Sequence, residues 1–349
     1  EGLFTNAIFG FLNILQKMET EEKPDAVCVA FDLHGPTFRH LQYEGYKATR
    51  HKMPEELAQQ MPVMKEVLTA MRIPIYECQG WEADDVIGTV GKKCGQENWD
   101  CVVVTGDRDS LQLIDDHVKI KLVISKPGQT TATLYDEAKF REEYGFAPKR
   151  MVDLKALMGD SSDNIPGVAG VGPKTATDLL LKFGTLDGVY ANLEDASIRP
   201  KLREKLEAGK DSAYLSYELA TIIPEAPIEF EPADAVLREY NKPELYALFQ
   251  KLEFVRLIDR YGLRGAAAEA AIPAKADVKT LPKAEVLPER LSKCALYFAP
   301  DGSLGIAWED GVCALTPMEL HMAALPQMEA LVLHDARAAM HLLEEAGIA

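Results

Sequence analysis

Two aspartates follow directly after a buried-strand pattern in this sequence. Residues Cys101 to Val104 form an apolar, mostly β-branched run, and Asp107 and Asp109 come just past its end. Ligands bind outside the carboxyl ends of strands in open α/β sheets, and neighbouring carboxylates suit a hard divalent cation. The stretch therefore predicts a metal site. Taken alone, the same residues also fit the commoner arrangement of a turn followed by a helix N-cap.

Acidic residues recur after other apolar runs, which favours the metal-site interpretation. The run Ala26–Phe31 ends in an aspartate, and the short run Ile73–Tyr76 is followed, after a turn, by several more acids. The candidate metal ligands are Asp32, Glu82, Asp84, Asp85, Asp107 and Asp109, with a later pair at Asp160 and Asp163. If the strands are parallel neighbours, the first six share one rim of a sheet. Like charges so close together repel and raise one another's pKa values, so we expect divalent cations to neutralise them.

The elements that must position these acids alternate between helix and strand. Helical periodicity covers residues 3–17, 55–71, 86–93 and 138–144, and strand patterns cover residues 26–31, 73–76, 101–105 and 119–125. This alternation predicts an α/β fold with a mostly parallel sheet flanked by helices. No strand pattern precedes the first helix, so we expect the first strand of this domain to be missing.

A basic segment lies between two of the acidic positions. The whole chain has a formal charge of −17, which argues against a nucleic-acid partner. From Arg39 to Lys52, however, basic residues alternate with aromatic ones such as Tyr43 and Tyr46. Such a pattern can hold a phosphate backbone and stack on bases. A solvated basic loop explains the segment about equally well.

Glycine-rich turns mark a second candidate site. Gly167, Gly170 and Gly172 precede Pro173 at the first position of a predicted helix, and Lys174 follows. Free N–H groups at such a helix start can hold a phosphate, which predicts a helix–hairpin–helix grip on DNA. A plain turn between helices is the alternative. The pattern GxxxxGK[ST] is not present, which disfavours an ATP-binding loop.

The remaining features limit the class of protein. Residues 178–265 follow a helical pattern, residues from 265 to about 288 resemble a linker, and residues 294–298, 304–308 and 311–315 alternate like antiparallel strands. Residues 331–334 fit another strand, and residues 336–346 fit a helix. No run of about 18 apolar residues could cross a membrane. The 6 cysteines form no CxxC pair, so we expect reduced thiols and no zinc site.

Four motifs in order resemble the 5′-nuclease domain of bacterial DNA polymerase I. They cover the chain from its start to about residue 265, and together they are highly specific. The motifs are Phe31–Arg39 continued by Tyr46–Arg50, then Glu82–Thr89, Val104–Ile114 and Met158–Ala176. The resemblance implies a PIN-like 5′ nuclease fold with a helix–hairpin–helix subdomain, and a structure-specific nuclease that removes 5′ flaps and primer ends.

The resemblance also implies roles for individual residues. The eight acids named above match the family's metal-site carboxylates, with Asp107 and Asp109 at the catalytic centre. Residues Arg39, Tyr46, Lys47 and Arg50 match the helical arch that passes single-stranded 5′ ends, and Lys47 and Arg50 would also neutralise the scissile phosphate. The DNA grip would involve Gly167, Gly170, Gly172, Lys174 and Thr175.

The implied cofactors are two Mg²⁺ ions, for which Mn²⁺ can substitute, with a K⁺ ion at the hairpin as in some members. The implied partner is DNA with 5′ flaps, nicks or RNA primers, bound by a monomeric protein of the bacterial cytoplasm that associates with the nucleoid.

We expect four regions on this basis. Residues 1–150 form the nuclease core without its first strand, 151–265 the helix–hairpin–helix subdomain, 266–290 a linker, and 291–349 the start of an α+β 3′–5′ exonuclease-like domain. That last domain is expected to be degenerate, because no Asp-x-Glu pair follows Tyr297. A junction-binding module with an inactive metal site is the alternative function.

Overall fold

A computed structural model describes residues 4–126 and 129–265, together with strands at 290–298, 304–308, 311–315 and 327–333. The chain divides into two units, residues 1–271 and 272–349. The predicted linker and the predicted helix at 336–346 lie outside the described residues, apart from residue 290. No helix in the described part of the chain is long and apolar enough to span a membrane.

The described strands of the first unit form two sheets, whereas we expected one mostly parallel sheet. The strands are β1 (Val29–Ala30), β2 (Ile75–Tyr76), β3 (Cys101–Thr105), β4 (Val118–Lys126) and β5 (Gln129–Tyr135). One sheet pairs β1 with β2 in parallel, and the other has the order β3-β4-β5, with β3 parallel and β5 antiparallel to β4. The predicted fold class, helices around a small parallel sheet, is confirmed, although the acids do not line one continuous rim.

The first strand is shorter than its apolar run because the run has two partners. The backbone N–H of Val27 donates to the Ala235 carbonyl at 2.8 Å, whereas Val29 and Phe31 donate to Pro74 and Tyr76 at 3.0 Å each. Only the second part of the run therefore pairs with β2. The first part ties the N-terminal half of the unit to residues near its end.

The helices of the first unit surround these sheets. They are α1 (Asn6–Glu22), α2 (Phe38–Gln42), α3 (Glu55–Ala58), α4 (Gln60–Ala70), α5 (Ala83–Gln96), α6 (Glu137–Tyr144), α7 (Met151–Met158), α8 (Pro173–Phe183), α9 (Leu186–Ala191), α10 (Pro200–Ala208), α11 (Lys210–Ala220), α12 (Lys242–Lys251) and α13 (Val255–Arg260). The predicted helix at 55–71 is divided into α3 and α4. The stretch after Asp107 forms a 3-10 helix, Arg108–Leu113.

Two large apolar cores, among several in the described residues, hold the elements of the first unit together. One packs β3 and β4 against α7 and α8 through fully buried residues such as Ile120, Leu157 and Leu180. The other packs α1 and α4 against α12 and α13, with Phe249 fully buried. Helices α12 and α13, near the end of the unit, thus complete the apolar core around α1 and α4 at its start.

The second unit contains one four-stranded sheet. Its order is β8-β7-β6-β9, where β6 is Arg290–Phe298, β7 Leu304–Trp308, β8 Gly311–Leu315 and β9 Gln327–Leu333. The three predicted antiparallel strands are confirmed. The fourth predicted strand is also present, and it runs parallel to β6.

Candidate active site

The end of β3 combines both interpretations of the Asp107–Asp109 stretch. The Asp107 carboxylate caps the 3-10 helix by accepting the backbone N–H of Asp109 at 2.9 Å. Its own N–H donates to the Thr105 hydroxyl at 3.0 Å. Asp107 remains exposed and Asp109 is half-buried. The turn and the helix cap therefore orient the two carboxylates, and they do not exclude a metal-binding role for them.

The start of α5 brings further acids to the same place. Glu82 is the N-cap of this helix, and the Asp85 carboxylate accepts the Glu82 N–H at 3.2 Å. Asp32, from beyond β1, accepts the Ala83 N–H at 2.7 Å. Asp84 lies 3.4 Å from the Ser110 hydroxyl, just beyond Asp109. Hydrogen bonds of these kinds thus connect the segments after β1, β2 and β3.

We call Asp32, Asp84 and Asp107 the open acids, because none of them has a Lys or Arg nitrogen within 4.0 Å among the described residues. Burial, together with the charges of Asp107, Asp109 and Asp32, raises the pKa of Asp84 to about 7. Burial also raises the pKa of Asp109 to about 6, against the opposing effect of the Lys155 ammonium. A bound cation would offset the repulsion among these carboxylates.

The donor chemistry of the open acids suits a hard divalent ion, because all the available ligands are carboxylate oxygens. In the described part of the chain, no three His, Cys, Asp or Glu side chains are arranged so that they could hold one ion together. The described residues thus form a cluster of carboxylates that suits a divalent ion, but these carboxylates are not arranged as a coordination sphere.

Asp85 and Arg39, a predicted metal ligand and a predicted DNA contact, form a buried pair. Two guanidinium nitrogens donate to the two Asp85 oxygens at 2.7 and 2.8 Å, and the Ile223 N–H donates to the same carboxylate at 2.9 Å. Asp85 is 0% exposed and Arg39 is 2% exposed. The Asp85 oxygens are therefore bonded to protein donors and Arg39 is buried, while the roles of metal ligand and DNA contact stay predictions.

Tyr46 and Lys47 contact Glu82 directly. The Lys47 ammonium donates to one Glu82 oxygen at 2.8 Å, and the Tyr46 hydroxyl donates to the other at 3.0 Å. Burial and the nearby acids raise the pKa of Tyr46 well above its usual range, which keeps its hydroxyl a donor. Tyr46 is buried, whereas Lys47 is half-buried.

Arg50 and Asp163 form a neighbouring ion pair, in which the guanidinium contacts Asp163 and is about half exposed (48%). The Tyr46 hydroxyl also reaches Asp163 at 3.4 Å. The basic segment therefore folds onto the acids, and Lys47 and Arg50 are its cations that contact an acid while staying at least partly exposed.

Lys155 is a site residue that the sequence analysis missed. Its ammonium, only 8% exposed, pairs with both Asp109 and Asp160. Burial would raise the pKa of Asp160, but the hydrogen bonds from Lys155 and Ser162 outweigh it and lower that pKa to about 2. The one available signal was a lysine within the stretch Met151–Met158, whose other residues are apolar except for Asp153.

The glycine hairpin is held from behind by α11. The buried Gly167 donates its N–H to Ser216 at 2.9 Å and accepts the Ser212 hydroxyl at 2.7 Å. A Cβ on Gly167 would lie 2.2 Å from the Gly159 nitrogen, so this glycine serves close packing and not ligand contact.

The other predicted hairpin residues lie nearer the surface. The carbonyl of Gly170 accepts Lys205 at 3.0 Å, and Gly172 is the N-cap of α8. Gly172 and Lys174 are exposed, and Thr175 is half-buried. Of the predicted grip, these outer residues remain accessible to a ligand.

Comparison with known families assigns most of the first unit. Residues 1–145 match the profile of the 5′-3′ exonuclease N-terminal resolvase-like domain, and residues 146–243 match that of the 5′-3′ exonuclease C-terminal SAM fold. The chain is 46% identical over 259 residues to DNA polymerase I of Caldicellulosiruptor bescii, covering 74% of this chain and 30% of that protein. It is 43% identical over 269 residues to DNA polymerase I of Bacillus subtilis, covering 77% and 30%. The chain thus spans about 30% of the length of these relatives.

Solved structures share the fold. A bacteriophage T5 5′-exonuclease with bound zinc matches with a TM-score of 0.52 and 24% identity, covering 62% of this chain and 81% of that one. A T5 flap endonuclease variant, in a pseudo-enzyme-product complex with DNA and metal ions, matches with a TM-score of 0.53 and 20% identity, covering 70% and 90%. At this level of identity the similarity establishes the fold alone.

Proposed function

Because this chain belongs through residues 1–243 to the 5′-3′ exonuclease family, we propose that it is a metal-dependent nuclease that cleaves DNA at 5′ flaps and 5′ ends. The observation that carries this proposal is the cluster of open acids, in which the pKa of Asp84 is raised to about 7, beside the accessible cations Lys47 and Arg50. A phosphodiester nuclease needs both features, since the acids hold the metal ions and the cations neutralise the phosphate.

In this proposal the two metal ions are Mg²⁺, with Mn²⁺ as a substitute. When bound, they would lower the pKa of the attacking water and stabilise the attacking and leaving oxygens of an in-line displacement. Asp32, Asp84, Asp107 and Asp109 would hold them directly, with Glu82 joining once Lys47 releases it. Asp160 and Asp163, already paired with Lys155 and Arg50, would act through water.

Lys47 and Arg50 have a defined task in this reaction. Lys47 is bonded to Glu82 and Arg50 to Asp163, so both cations are held beside the acids before substrate arrives. We propose that a substrate phosphate competes with these carboxylates for the two side chains. The exchange would place positive charge at the scissile phosphate and leave Glu82 available to the metal.

The division of the chain into four regions, at 1–150, 151–265, 266–290 and 291–349, remains a prediction. In it the outer hairpin residues Gly172 and Lys174 grip duplex DNA, with a K⁺ ion as a further ligand of the hairpin, and the last region is a degenerate 3′–5′ exonuclease-like domain. We further propose that the protein acts as a monomer near the bacterial nucleoid, on flaps, nicks and RNA primers.

A second candidate function is a DNA-junction-binding module without cleavage. It is favoured by the observation that, among the described residues, no three candidate ligands are arranged to hold an ion. The two functions differ in whether the bound DNA is cut.

Cleavage of a 5′-labelled flap DNA in Mg²⁺ tests the proposal, with binding of the same DNA measured in Ca²⁺. We expect cutting near the flap junction, and we expect Asp107→Ala to reduce it roughly a thousandfold while binding persists, because loss of a metal ligand removes several kcal/mol of transition-state stabilisation. Binding without cutting by the unmodified chain would support the junction-binding module. A chain that neither binds nor cuts this DNA would refute both functions.

A further inference from the structure

Residues 219–226, which we call the strap, carry the chain out of α11 and across the back of the acidic site. Four side chains from earlier segments bind its backbone: Arg39, Asp85, Thr89 and Gln112. All four are polar side chains less than 9% exposed that would be costly to bury without partners, and Asp85 is 0% exposed. The strap satisfies them, so its position and theirs are fixed together.

Gln112 joins the strap to the backbone of a candidate metal ligand. Its amide nitrogen donates to the Ala220 carbonyl at 3.0 Å and to the Asp109 carbonyl at 3.1 Å, while its oxygen accepts the Ile222 N–H at 2.8 Å. It is 8% exposed. One side chain therefore uses both ends of its amide to hold the segment after β3 against the strap.

Arg39 makes the corresponding connection at the start of α5. Its guanidinium donates to the Leu219 carbonyl at 3.0 Å and to the Thr221 carbonyl at 2.5 Å, in addition to its two bonds to Asp85. Asp85 in turn accepts the N–H of Glu82, the N-cap residue. The same strap thus holds the Glu82–Asp84 side of the acidic cluster.

The strap is also continuous with the element behind the glycine hairpin. Ser212 and Ser216 of α11 bond both backbone groups of Gly167, and the strap begins as α11 ends. Two segments with mutually repelling carboxylates and one hairpin therefore share a single support.

We propose that Arg39 and Gln112 are positioning residues, which act through the strap to keep the carboxylates of Asp84 and Asp109 near each other, so that divalent ions can bind them. This inference rests on the proposed function, since it assumes that these carboxylates bind metal. The physical reason is that Asp84 and Asp109 repel each other, so without a rigid support they would move apart whenever no cation is bound.

Mn²⁺ binding to the chain without DNA tests this inference, measured by the loss of the free-ion electron paramagnetic resonance signal. We expect Gln112→Met, which keeps the side-chain volume, to weaken Mn²⁺ binding by about tenfold, the usual effect of losing a residue that orients a ligand. We expect Arg39→Lys to act in the same direction, because an ammonium cannot reproduce the planar, bidentate contact.

Gln60→Met is the matched control. Gln60 is also a buried glutamine, 1% exposed, and its amide bonds the Ala7 N–H and the Glu56 carbonyl at 2.8 Å each, within a region that carries no candidate ligand. We expect this variant to lose comparable stability in thermal unfolding and to bind Mn²⁺ within about twofold of the unmodified chain.

The outcomes distinguish a positioning role of Arg39 and Gln112 from a general loosening of the fold. Equal weakening by Gln60→Met would mean general loosening and would refute a positioning role, as would unchanged binding by both Arg39→Lys and Gln112→Met. If Gln112→Met does not fold, Arg39→Lys alone decides in the same way. Since the titration contains no DNA, a chain that binds Mn²⁺ but cuts no flap would refute the proposed nuclease and leave this inference standing.

Discussion

The two groups of acids in the candidate site differ in what balances their charge. The open acids Asp32, Asp84 and Asp107 have no Lys or Arg partner within 4.0 Å among the described residues. We call the others the paired acids, because protein cations bind them: Arg39 and Lys47 bind Asp85 and Glu82, Arg50 binds Asp163, and Lys155 binds Asp109 and Asp160.

The contrast appears directly in the pKa values. Burial and like charges raise the pKa of Asp84 to about 7, whereas Lys155 and Ser162 overcome burial and lower the pKa of Asp160 to about 2. Both are aspartates of one acidic site, so the difference comes from their neighbours. The cations beside the carboxylates therefore divide the site into acids that already have a protein partner and acids that do not, which a count of carboxylates does not show.

The largest expected effect is a loss of stability when Asp85, the most buried of the paired acids, loses its partner. Arg39→Ala leaves the fully buried Asp85 charge without its partner, which should lower the free energy of unfolding by about 3–5 kcal/mol. Urea denaturation measures the change. Lys92→Ala is the control, because its pair with Glu225 is largely exposed and should be worth less than about 1 kcal/mol. Equal losses in the two variants would contradict the distinction between buried and surface pairs.

A smaller effect is expected from removing the cation of the half-buried paired acids. Lys155→Met frees Asp109 and Asp160, so the pKa of Asp160 should rise from about 2 toward its ordinary value. Flap cleavage at limiting Mg²⁺ should fall by roughly 10- to 100-fold, because a neighbour that orients metal ligands is lost. Lys182→Met, which removes an exposed cation from Asp195, should leave cleavage unchanged. A Lys155→Met chain that cleaves normally would show that its pairing is only structural.

The smallest effect concerns pH and two acids of the site, the open acid Asp84 and the paired acid Asp109. The folded pKa values of Asp84, about 7, and Asp109, about 6, both lie above the ordinary value of 3.8. Between these limits the folded state binds more protons than the unfolded state, so without metal the stability falls as the pH rises through this window. Asp160 has the opposite sign, and its contribution is lost only as the pH falls from 3.8 towards about 2.

Bound Mg²⁺ should restore the stability that is lost as the pH rises, since it replaces the protons on Asp84 and Asp109. Thermal unfolding with Mg²⁺ and with a chelator should show a larger stabilisation near pH 8 than near pH 5. An Asp84→Asn variant serves as the control and should show a reduced dependence on pH. Equal stabilisation at both pH values would mean that protons and metal do not compete at these carboxylates.

Local sequence patterns predicted the elements that carry the site. The run Cys101–Thr105 is found as β3 at the predicted residues, and the helix that follows Glu82 is present as α5. Both are defined by short-range features, namely β-branched character and a capping pattern. Strand β5 was missed because its sequence, QTTATLY, is largely polar and shows little apolar alternation.

Partners distant in sequence could not be predicted in this way. Arg39 lies in a basic, aromatic segment typical of a DNA contact, yet its carbonyl partners are 180 and 182 residues away. Lys155 lies in a mostly apolar helix, and although Asp160 is five residues away, no local pattern indicates that Asp109 also pairs with it. The types of residue in the candidate site were therefore predictable, but their division into open and paired acids depends on tertiary packing.

The strap has a consequence for building chimeric proteins. Family profiles divide the chain between residues 145 and 146, but the strap and helices α12 and α13 return to pack on the N-terminal half. A chimera joined at that boundary would separate Arg39 and Gln112 from the backbone they bind and would remove Phe249 from the core of α1 and α4. Exchange of the hairpin region between relatives should therefore keep residues 219–263 with the N-terminal half, so that the transferable segment is internal to the chain.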